Sequence, residues 1–276
     1  MYRTMAVILV FIGLMVCPSA YADLREGLVA AWTFDDGTAR DATRSGHDGE
    51  LTGKPEAVKG KFGLGFDFNG VDTGVEIQDH EDLQLTQPFT VSAWIYIRSI
   101  QNHAGIVWKG SMIGWGTDVY NYRIALQGAD PREGADAGLT WGACTGPVEG
   151  YFATGGVLPA DELSKWHHVA LVEDGTKGIA YLDGKSRLVV TSGDANRPSA
   201  PYAPLEGHPV RIGFAIGVNG NIADEAYVDG IIDEVLLYNR PLDKGEIHAL
   251  MDSGPNLAIE SVGKLATTWS RIKWSL

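Results

Sequence analysis

An aspartate stands among apolar residues near the end of the chain. If residues 231–238 form a strand, Asp233 shares one face with Ile231, Val235 and Leu237, because side chains alternate along a strand. A carboxylate in apolar surroundings costs free energy unless it is hydrogen-bonded, paired or metal-bound. The pattern therefore leaves two interpretations of Asp233, a metal ligand or an acceptor of backbone amide hydrogen bonds.

Further carboxylates follow the first apolar run of the chain. Asp35 and Asp36 come directly after it, and Asp41 lies soon after them. Calcium takes about six to eight oxygen ligands, mainly from carboxylates and carbonyl groups. Together with Asp233, these residues predict a structural calcium site, and calcium is the expected cofactor.

A second set of candidate residues lies in the middle of the chain. Aromatic side chains offer flat faces to sugar rings, and neighbouring amides or carboxylates can hydrogen-bond to hydroxyl groups. The same aromatic residues could instead form a hydrophobic cluster beneath long loops. The candidate ligand-binding residues are Trp115, Asp118, Tyr120, Asn121, Trp141 and Tyr151.

The composition excludes several classes of protein. The 276 residues contain 22 Lys+Arg against 35 Asp+Glu, which gives a net charge of −13. Binding to a phosphate backbone requires clustered basic residues, so nucleic acid is not an expected partner. Hydrophobic residues at 45% and charged residues at 21% exclude bulk disorder and a polytopic membrane protein.

The N-terminal segment has the pattern of a signal peptide. Within residues 1–22, Arg3 precedes an apolar run, and Ala20 and Ala22 are small residues before the expected cleavage site. We therefore expect a secreted protein of the extracellular space, the periplasm or the cell surface, with no transmembrane anchor after cleavage. Cys144 is then the single remaining cysteine, so no intrachain disulfide forms.

The remaining chain is expected to be one folded domain over residues 23–254, followed by a short amphipathic tail over residues 255–276. Runs rich in Val, Ile and aromatic residues, bounded by Gly and Asp turn signals, predict an all-β, two-sheet antiparallel sandwich. One C-terminal helix is predicted over 242–251, with Asp243 and Glu246 as a capping box. The predicted strands are 28–34, 66–68, 75–77, 89–97, 122–126, 139–141, 168–172, 179–182, 210–216 and 231–238.

Several motifs occur in collinear order over residues 27 to 252. They resemble the laminin-G-like (concanavalin A-like) jelly-roll domains of secreted bacterial proteins. The resemblance implies a jelly-roll sandwich, and it implies a structural calcium on Asp36 and Asp233, where the first and last strands meet. The motifs include Ala31-Trp32-Thr33-Phe34-Asp35-Asp36-Gly37, Gly63-Leu64-Gly65-Phe66-Asp67-Phe68-Asn69-Gly70, Trp166-His167-His168-Val169-Ala170 and Ile231-Ile232-Asp233-Glu234-Val235.

The resemblance also raises the question of catalysis, because the fold is shared with glycoside hydrolases. Retaining glycosidases need two carboxylates about 5–5.5 Å apart. In the related laminarinase-type enzymes these follow an E-x-D-x-x-E pattern. The nearest match here runs from Glu76 to Glu81, with Gln78 at the aspartate position. We therefore expect no enzymatic activity, with one alternative left open: a lyase that uses Tyr and Arg would not show this carboxylate pattern.

The function that follows is a non-catalytic, lectin-like module that binds extracellular or cell-surface glycans. The alternative is a protein-interaction or surface-structural module without a glycan ligand. An exposed aromatic patch favours the first interpretation, and buried aromatic residues with an exposed apolar edge favour the second.

Overall fold

The strands stack as two antiparallel sheets. A computed structural model describes residues 24–86, 88–111, 119–128, 137–143, 158–191, 204–216 and 226–254. In this part of the chain the strands are β1 (Leu28–Trp32), β2 (Gly49–Thr52), β3 (Glu56–Lys59), β4 (Leu64–Asn69), β5 (Gly74–Ile77), β6 (Phe89–Ser99), β7 (Gly105–Ser111), β8 (Val119–Gln127), β9 (Gly138–Ala143), β10 (Trp166–Glu173), β11 (Lys177–Leu182), β12 (Lys185–Thr191), β13 (Val210–Ile212), β14 (Phe214–Ala215), β15 (Ala226–Tyr227) and β16 (Asp229–Tyr238).

The two sheets take strands from distant parts of the sequence. The larger sheet has the order β12-β11-β10-β6-β16-β4-β3, with β1 also paired to β16. The second sheet has the order β2-β5-β13-β7-β8-β9, and β14 and β15 form a short separate pair. The predicted all-β sandwich is confirmed. Short 3-10 helices at η1 (Glu81–Leu83) and η2 (Ala160–Glu162) lie in the connections.

The main hydrophobic core lies between the facing sheets. Phe66, Val91 and Ile95 line it from the larger sheet, and Ile124 and Trp141 line it from the second sheet. All are essentially inaccessible to solvent. Alternation along each strand thus places one apolar row in the core and leaves the other row for the outer faces.

A helix covers part of the outer face of the larger sheet. Helix α1 (Lys244–Ser253) begins at Asp243, whose side chain accepts from the amide of Glu246, while the Glu246 carboxylate accepts from the amide of Asp243. Its Ile247 and Leu250 pack against Leu236 and other outer-face residues. The helix and its capping box are as predicted. In the described part of the chain, no helix is long and apolar enough to cross a bilayer.

The strands differ from the prediction in two respects. Five of them, β2, β3, β7, β12 and β15, were not predicted. The predicted strand 210–216 is divided at Gly213, which has φ +85° and separates β13 from β14. A Cβ at Gly213 would lie 2.4 Å from the ring of Phe68, so the chain must bend there without a side chain. The predicted signal peptide over 1–22 and the predicted tail over 255–276 lie outside the described residues.

Candidate functional site

The last strand contains a β-bulge at the carboxylates. Asp233 pairs with Trp94, whereas Leu236 pairs with Ser92, so β16 has one residue more than β6 across this step. Glu234 has φ +53°, a strained conformation for a residue with a side chain. The bulge shifts the alternation by one residue, so Ile232 belongs to the core with Val235 and Leu237.

The prediction that Asp233 shares a face with Val235 and Leu237 is therefore wrong. The bulge turns Asp233 to the outer face of the larger sheet, where its strand neighbour Trp94 contacts Phe62 and the Lys61 ammonium group. Asp233 is nevertheless fully buried there. One of its oxygens, Oδ2, accepts from the backbone amides of Lys61 at 2.8 Å and Phe62 at 3.1 Å.

The turn before β4 is built around this carboxylate. A Cβ at Gly60 would lie 2.5 Å from Asp233 Oδ2, and a Cβ at Gly63 would lie 1.8 Å from Asp35 Oδ1. Asp35 Oδ1 also accepts from the amide of Leu64 at 2.9 Å. Residues 60–64 thus wrap closely around the side chains of Asp35 and Asp233, and glycine is required where the two carboxylates approach the backbone.

The electrostatics of this acidic cluster, which we define as Asp35, Asp233 and Glu234, favour a cation. Burial, together with the charge of Asp35, raises the pKa of Asp233 to about 7 against the opposing effect of its amide hydrogen bonds. Burial and the charges of Asp233 and Asp35 raise the pKa of Glu234 to about 10. Asp233 Oδ1 and Glu234 Oε2 are buried and accept no hydrogen bond. Buried carboxylate oxygens without donors are costly, and a bound cation would remove that cost.

The cluster offers carboxylate oxygens, the ligand type that calcium prefers, although in the described structure the oxygens of all three residues do not lie within 4.8 Å of one another. Two of its members, Asp35 and Asp233, are among the predicted metal ligands, whereas Glu234 was missed. Simple alternation along the strand places Glu234 on the face opposite to Asp233. The bulge changes this alternation, and the sequence pattern does not reveal the bulge. The two other predicted ligands are engaged elsewhere.

Asp36 is exposed and accepts from the amide and hydroxyl of Thr38 at 2.9 and 2.6 Å. Asp41 is buried, and it accepts from the amides of Ala31, Thr43 and Ser45. Each of these two aspartates stabilises a local turn. The structure thus brings Asp35 to Asp233, rather than the Asp36 implied by the family resemblance.

The predicted aromatic platform is not supported where the structure describes it. Trp141 is completely buried in the main core, so it cannot stack on a sugar from solvent. Asn121 is also buried, and its Nδ2 donates to the carbonyl of Leu85 at 3.1 Å. The backbone of Tyr120 lies in β8 opposite Gly110. Trp115, Asp118 and Tyr151 lie outside the described residues.

A polar groove lies beside the second sheet, at the end of β5. It has a volume of about 700 Å³, and its described lining contains acidic and amide side chains but no Lys or Arg. Sites for small molecules and cofactors typically have volumes of about 300–1,000 Å³. The lining residues are Asp79, His80, Glu81, Gln84, Pro204, Glu206 and Gly207.

A buried lysine holds the two sides of this groove together. The Lys109 ammonium group donates to Asp79 and to the carbonyl of His208, at 2.6 Å in the second case. Asp79 also accepts from Gln84 Nε2 at 2.6 Å and from the amide of Gly207 at 2.5 Å. Burial lowers the pKa of Lys109, while Asp79 opposes that shift. This network fixes the shape of the groove before any ligand arrives.

A row of polar side chains crosses the outer face of the second sheet next to the groove. Glu76, Arg211, Trp108 and Arg123 are successive partners across β5, β13, β7 and β8. Arg211 Nε donates to Glu76 at 3.0 Å, and the Arg123 guanidinium lies 4.9 Å from the centre of the Trp108 ring. These residues were not among the predicted site residues. The sequence does contain a signal for two of them, because Arg211 and Arg123 each stand between two core residues of a strand.

Comparison with known protein families assigns the fold. A family model described as the concanavalin A-like lectin/glucanases superfamily matches residues 69–248. The chain belongs to this superfamily. The resemblance inferred from its sequence motifs is thus confirmed, whereas a search of curated proteins finds no significant match.

Solved structures of this superfamily fold include parts of larger enzymes and toxins. Domain 4 of AbnA, a GH43 extracellular arabinanase from Geobacillus stearothermophilus in complex with arabinotriose, superimposes with a TM-score of 0.61 at 19% identity, covering 82% of this chain and 98% of that domain. The Trypanosoma rangeli sialidase in complex with sialic acid gives a TM-score of 0.51 at 20% identity, covering 86% of this chain and 34% of the sialidase. The binding domain of Paraclostridial Mosquitocidal Protein 1 gives 0.51 at 14% identity, covering 83% and 53%. The chain thus spans about a third of the sialidase and about half of the toxin domain, and at these identities the likeness shows the fold.

Proposed function

We propose that this protein is a secreted, non-catalytic module that binds neutral glycans in the polar groove and carries a structural calcium ion on the acidic cluster. The groove is the observation that carries the proposal, since it is an open cavity in a lectin-type fold whose lining includes carboxylate, amide and imidazole side chains. The arabinotriose-bound arabinanase domain, which this chain covers almost completely, supports the same function. Secretion rests on the signal-peptide pattern of residues 1–22.

Charge favours a neutral glycan over an acidic one. Glu81 and Glu206 are exposed carboxylates of the groove. Within the described hydrogen-bond network of Asp79, the only basic side chain is that of Lys109, which is buried. A sialylated or uronic-acid chain would bring negative charge to these carboxylates and to a protein of net charge −13. Hydroxyl groups, in contrast, can donate to Glu81 and Glu206 and exchange hydrogen bonds with Gln84.

The exposed apolar residues favour a glycan over a protein partner. Among the described residues, the large exposed hydrophobic side chains are Leu51, Val71 and Val189, which lie on separate elements. Protein-docking surfaces are marked by contiguous exposed apolar patches larger than the roughly 300–600 Å² of the largest patch on a typical monomer. Three dispersed side chains do not form one.

The arrangement of the groove also favours binding without chemistry. Asp79 is held by Lys109, Gln84 and Gly207, so it is committed to the structural network rather than available to a substrate. Glu76, the first carboxylate of the hydrolase-like sequence pattern, is paired with Arg211 on the sheet face. Gln78 cannot replace the aspartate of that pattern as a base or nucleophile.

Calcium would stabilise the fold rather than contact the glycan. The acidic cluster lies on the outer face of the larger sheet, whereas the groove lies beside the second sheet. When bound, calcium supplies positive charge that neutralises Asp35, Asp233 and Glu234. The chain itself orients the carboxylates of Asp35 and Asp233 through the amides of residues 61, 62 and 64.

A glycan array with the purified full chain tests the binding function. We expect binding to neutral polysaccharides and weaker or no binding to sialylated and uronic-acid-rich ones. Glu81→Ala and Glu206→Ala should reduce binding without changing the melting temperature, because both side chains are exposed. Glu56→Ala, at an exposed position on β3 in the other sheet, is the matched control and should bind normally.

Two outcomes would contradict this function. If no glycan on the array binds, the protein-interaction alternative replaces it. If oligosaccharides are released from any polysaccharide during incubation, the module is an enzyme.

A further inference from the structure

A second group of potential metal ligands lies near the groove and away from the acidic cluster. His47, His80 and Asp82 each direct one donor atom to a common point, and these atoms lie within 4.8 Å of one another. His47 Nε2 is 3.7 Å from Asp82 Oδ2, and His80 Nδ1 is 3.3 Å from the same oxygen. The rings of His47 and His80 are 4.9 Å apart between their centres.

The buried histidine of this group has a free ring nitrogen. The side chain of His47 is only 3% exposed, and its Nε2 is inaccessible and makes no hydrogen bond in the described structure. A buried polar atom without a partner requires an explanation. A metal ion bound to Nε2 would supply the missing partner.

The backbone around His47 fixes the ring in this position. The carbonyl of His47 accepts from Trp32 Nε1 at 2.8 Å, and its amide donates to Asp41 Oδ2 at 3.4 Å. Trp32 and Asp41 are themselves fully buried. His47 is therefore a preorganised donor rather than a mobile surface histidine.

The other two donors stand on a short exposed turn. His80 precedes the 3-10 helix Glu81–Leu83, and its Nδ1 accepts from the amide of Asp82 at 3.2 Å. That hydrogen bond uses the Nδ1 lone pair, so a metal ion bound through this atom would replace the Asp82 amide as its partner. The side chains of His80 and Asp82 are 51% and 54% exposed, so an ion can reach them from solvent.

We propose that His47, His80 and Asp82 form a binding site for a divalent transition-metal ion of the zinc class. Zinc binds nitrogen and carboxylate oxygen at about 2.0–2.2 Å, so the ligands of a tetrahedral site lie about 3.3–3.5 Å apart. The two distances to Asp82 Oδ2 are close to that value. Two imidazoles and one carboxylate select zinc over calcium, which prefers oxygen ligands alone.

The site would leave a coordination position open towards solvent. Three protein ligands with a fourth position for water or another ligand is the arrangement of accessible zinc sites. Because His80 also lines the polar groove, that position faces the region where a ligand approaches. A bound ion would join the segment before β2 to the turn after β5, which fixes one wall of the groove.

Zinc titration of the metal-free full chain tests this proposal and does not depend on glycan binding. Calorimetry is performed with calcium present in excess, so that the acidic cluster is not the site measured. We expect one zinc ion per chain. His80→Ala and Asp82→Asn should weaken zinc binding at least about tenfold, since even the loss of a supporting partner of a ligand costs about 10–100-fold. Cobalt(II) should give the intense visible absorption of a tetrahedral site in the wild type but not in His80→Ala.

His248→Ala is the matched control, because His248 is an exposed histidine on α1, outside the group. It should bind zinc as the wild type does. His80 is exposed, so its replacement keeps the test interpretable even if His47→Ala disturbs the buried segment. Absence of a zinc isotherm, or equal zinc affinity in the wild type and His80→Ala, would overturn the proposal and leave only adventitious surface binding.

Discussion

Asp35 and Asp233 are far apart in the sequence, but both hydrogen-bond to the backbone of the same turn, residues 60–64. Asp233 accepts from the amides of Lys61 and Phe62 at 2.8 and 3.1 Å, and Asp35 accepts from the amide of Leu64 at 2.9 Å. Asp36, one residue along, accepts instead from Thr38. The different directions of the Asp35 and Asp36 side chains follow a change in the course of the chain after β1. It occurs at Phe34, a buried residue with φ +58° that packs against Phe66.

Because Asp35 lies beside Asp233 and Asp36 does not, we expect Asp35, rather than Asp36, to be a calcium ligand. After removal of metal, added calcium should raise the melting temperature of the wild type, since binding to the folded state alone stabilises it by about 2.7 kcal/mol at a hundredfold excess over the dissociation constant. Asp35→Asn should lose most of that response, and Asp36→Asn should retain it. Thermal melts with and without calcium measure both. Equal responses of the two variants would remove Asp35 from the site.

Glu234 gives a second test, in which the sign of the effect depends on calcium. Burial and the charges of Asp233 and Asp35 raise the pKa of Glu234, so the metal-free fold favours an uncharged side chain there. Glu234→Gln should therefore leave the metal-free protein as stable as the wild type or more stable, yet abolish stabilisation by calcium.

Urea denaturation in EDTA and in calcium measures the two effects, with Glu56→Gln on β3 as an exposed control. A variant that is destabilised equally in both conditions would indicate a structural role for the Glu234 carboxylate instead of a ligand role.

The fold could be predicted because its signals are local. Alternating apolar residues, turn pairs and the Asp243–Glu246 capping box each occupy a few neighbouring residues, and all are present in the structure. Strands β2 and β3 escaped prediction because their side chains are largely exposed and polar, so they lack an apolar row. Their extended conformation comes from pairing with β5 and β4.

The sites were harder to predict because they depend on contacts across the sandwich. One extra residue at Glu234 reverses the faces of β16, and no local pattern announces it. The proposed zinc site combines His47, which precedes β2, with His80 and Asp82, which follow β5. Trp141, in contrast, could have been assigned correctly, since Leu139, Trp141 and Ala143 alternate as a core row.

Trp141 is expected to act as a core residue. Trp141→Ala should lower the free energy of unfolding by about 3–5 kcal/mol, as large aromatic deletions in cores do. Trp141→Phe should cost much less, because it keeps an aromatic ring in place and removes an indole N–H that is buried without a hydrogen bond. Chemical denaturation measures both variants. A Trp141→Ala protein as stable as the wild type would contradict the buried placement.

Trp115 lies outside the described residues, so its role stays a prediction. Trp115→Ala should reduce glycan binding and leave the stability unchanged.

Two adjacent histidines should give the protein opposite responses to pH. Burial lowers the pKa of His168 to about 4, with His248 adding to the shift and Asp183 opposing it. The unfolded chain therefore binds more protons than the folded one between pH 6.5 and about 4, and stability falls as the pH falls through this window. The loss attributable to His168 is at most about 3–4 kcal/mol, at about 1.4 kcal/mol per pH unit.

His167 behaves in the other direction. Its ring nitrogens lie 2.9 Å from Asp183 Oδ2 and 3.0 Å from the carbonyl of Glu162, and the Asp183 hydrogen bond raises the pKa of His167 despite partial burial. Its contribution is complete below the pKa of the unfolded chain and disappears as the pH rises through the raised value in the fold. His168→Phe should flatten the acid limb of a plot of stability against pH, because it removes the buried base and keeps a ring against Trp94. His167→Gln should leave that acid limb and remove the decline that begins as the pH rises above 6.5. Urea midpoints between pH 4 and 9 measure both limbs, and an acid limb unchanged in His168→Phe would show that another group controls acid unfolding.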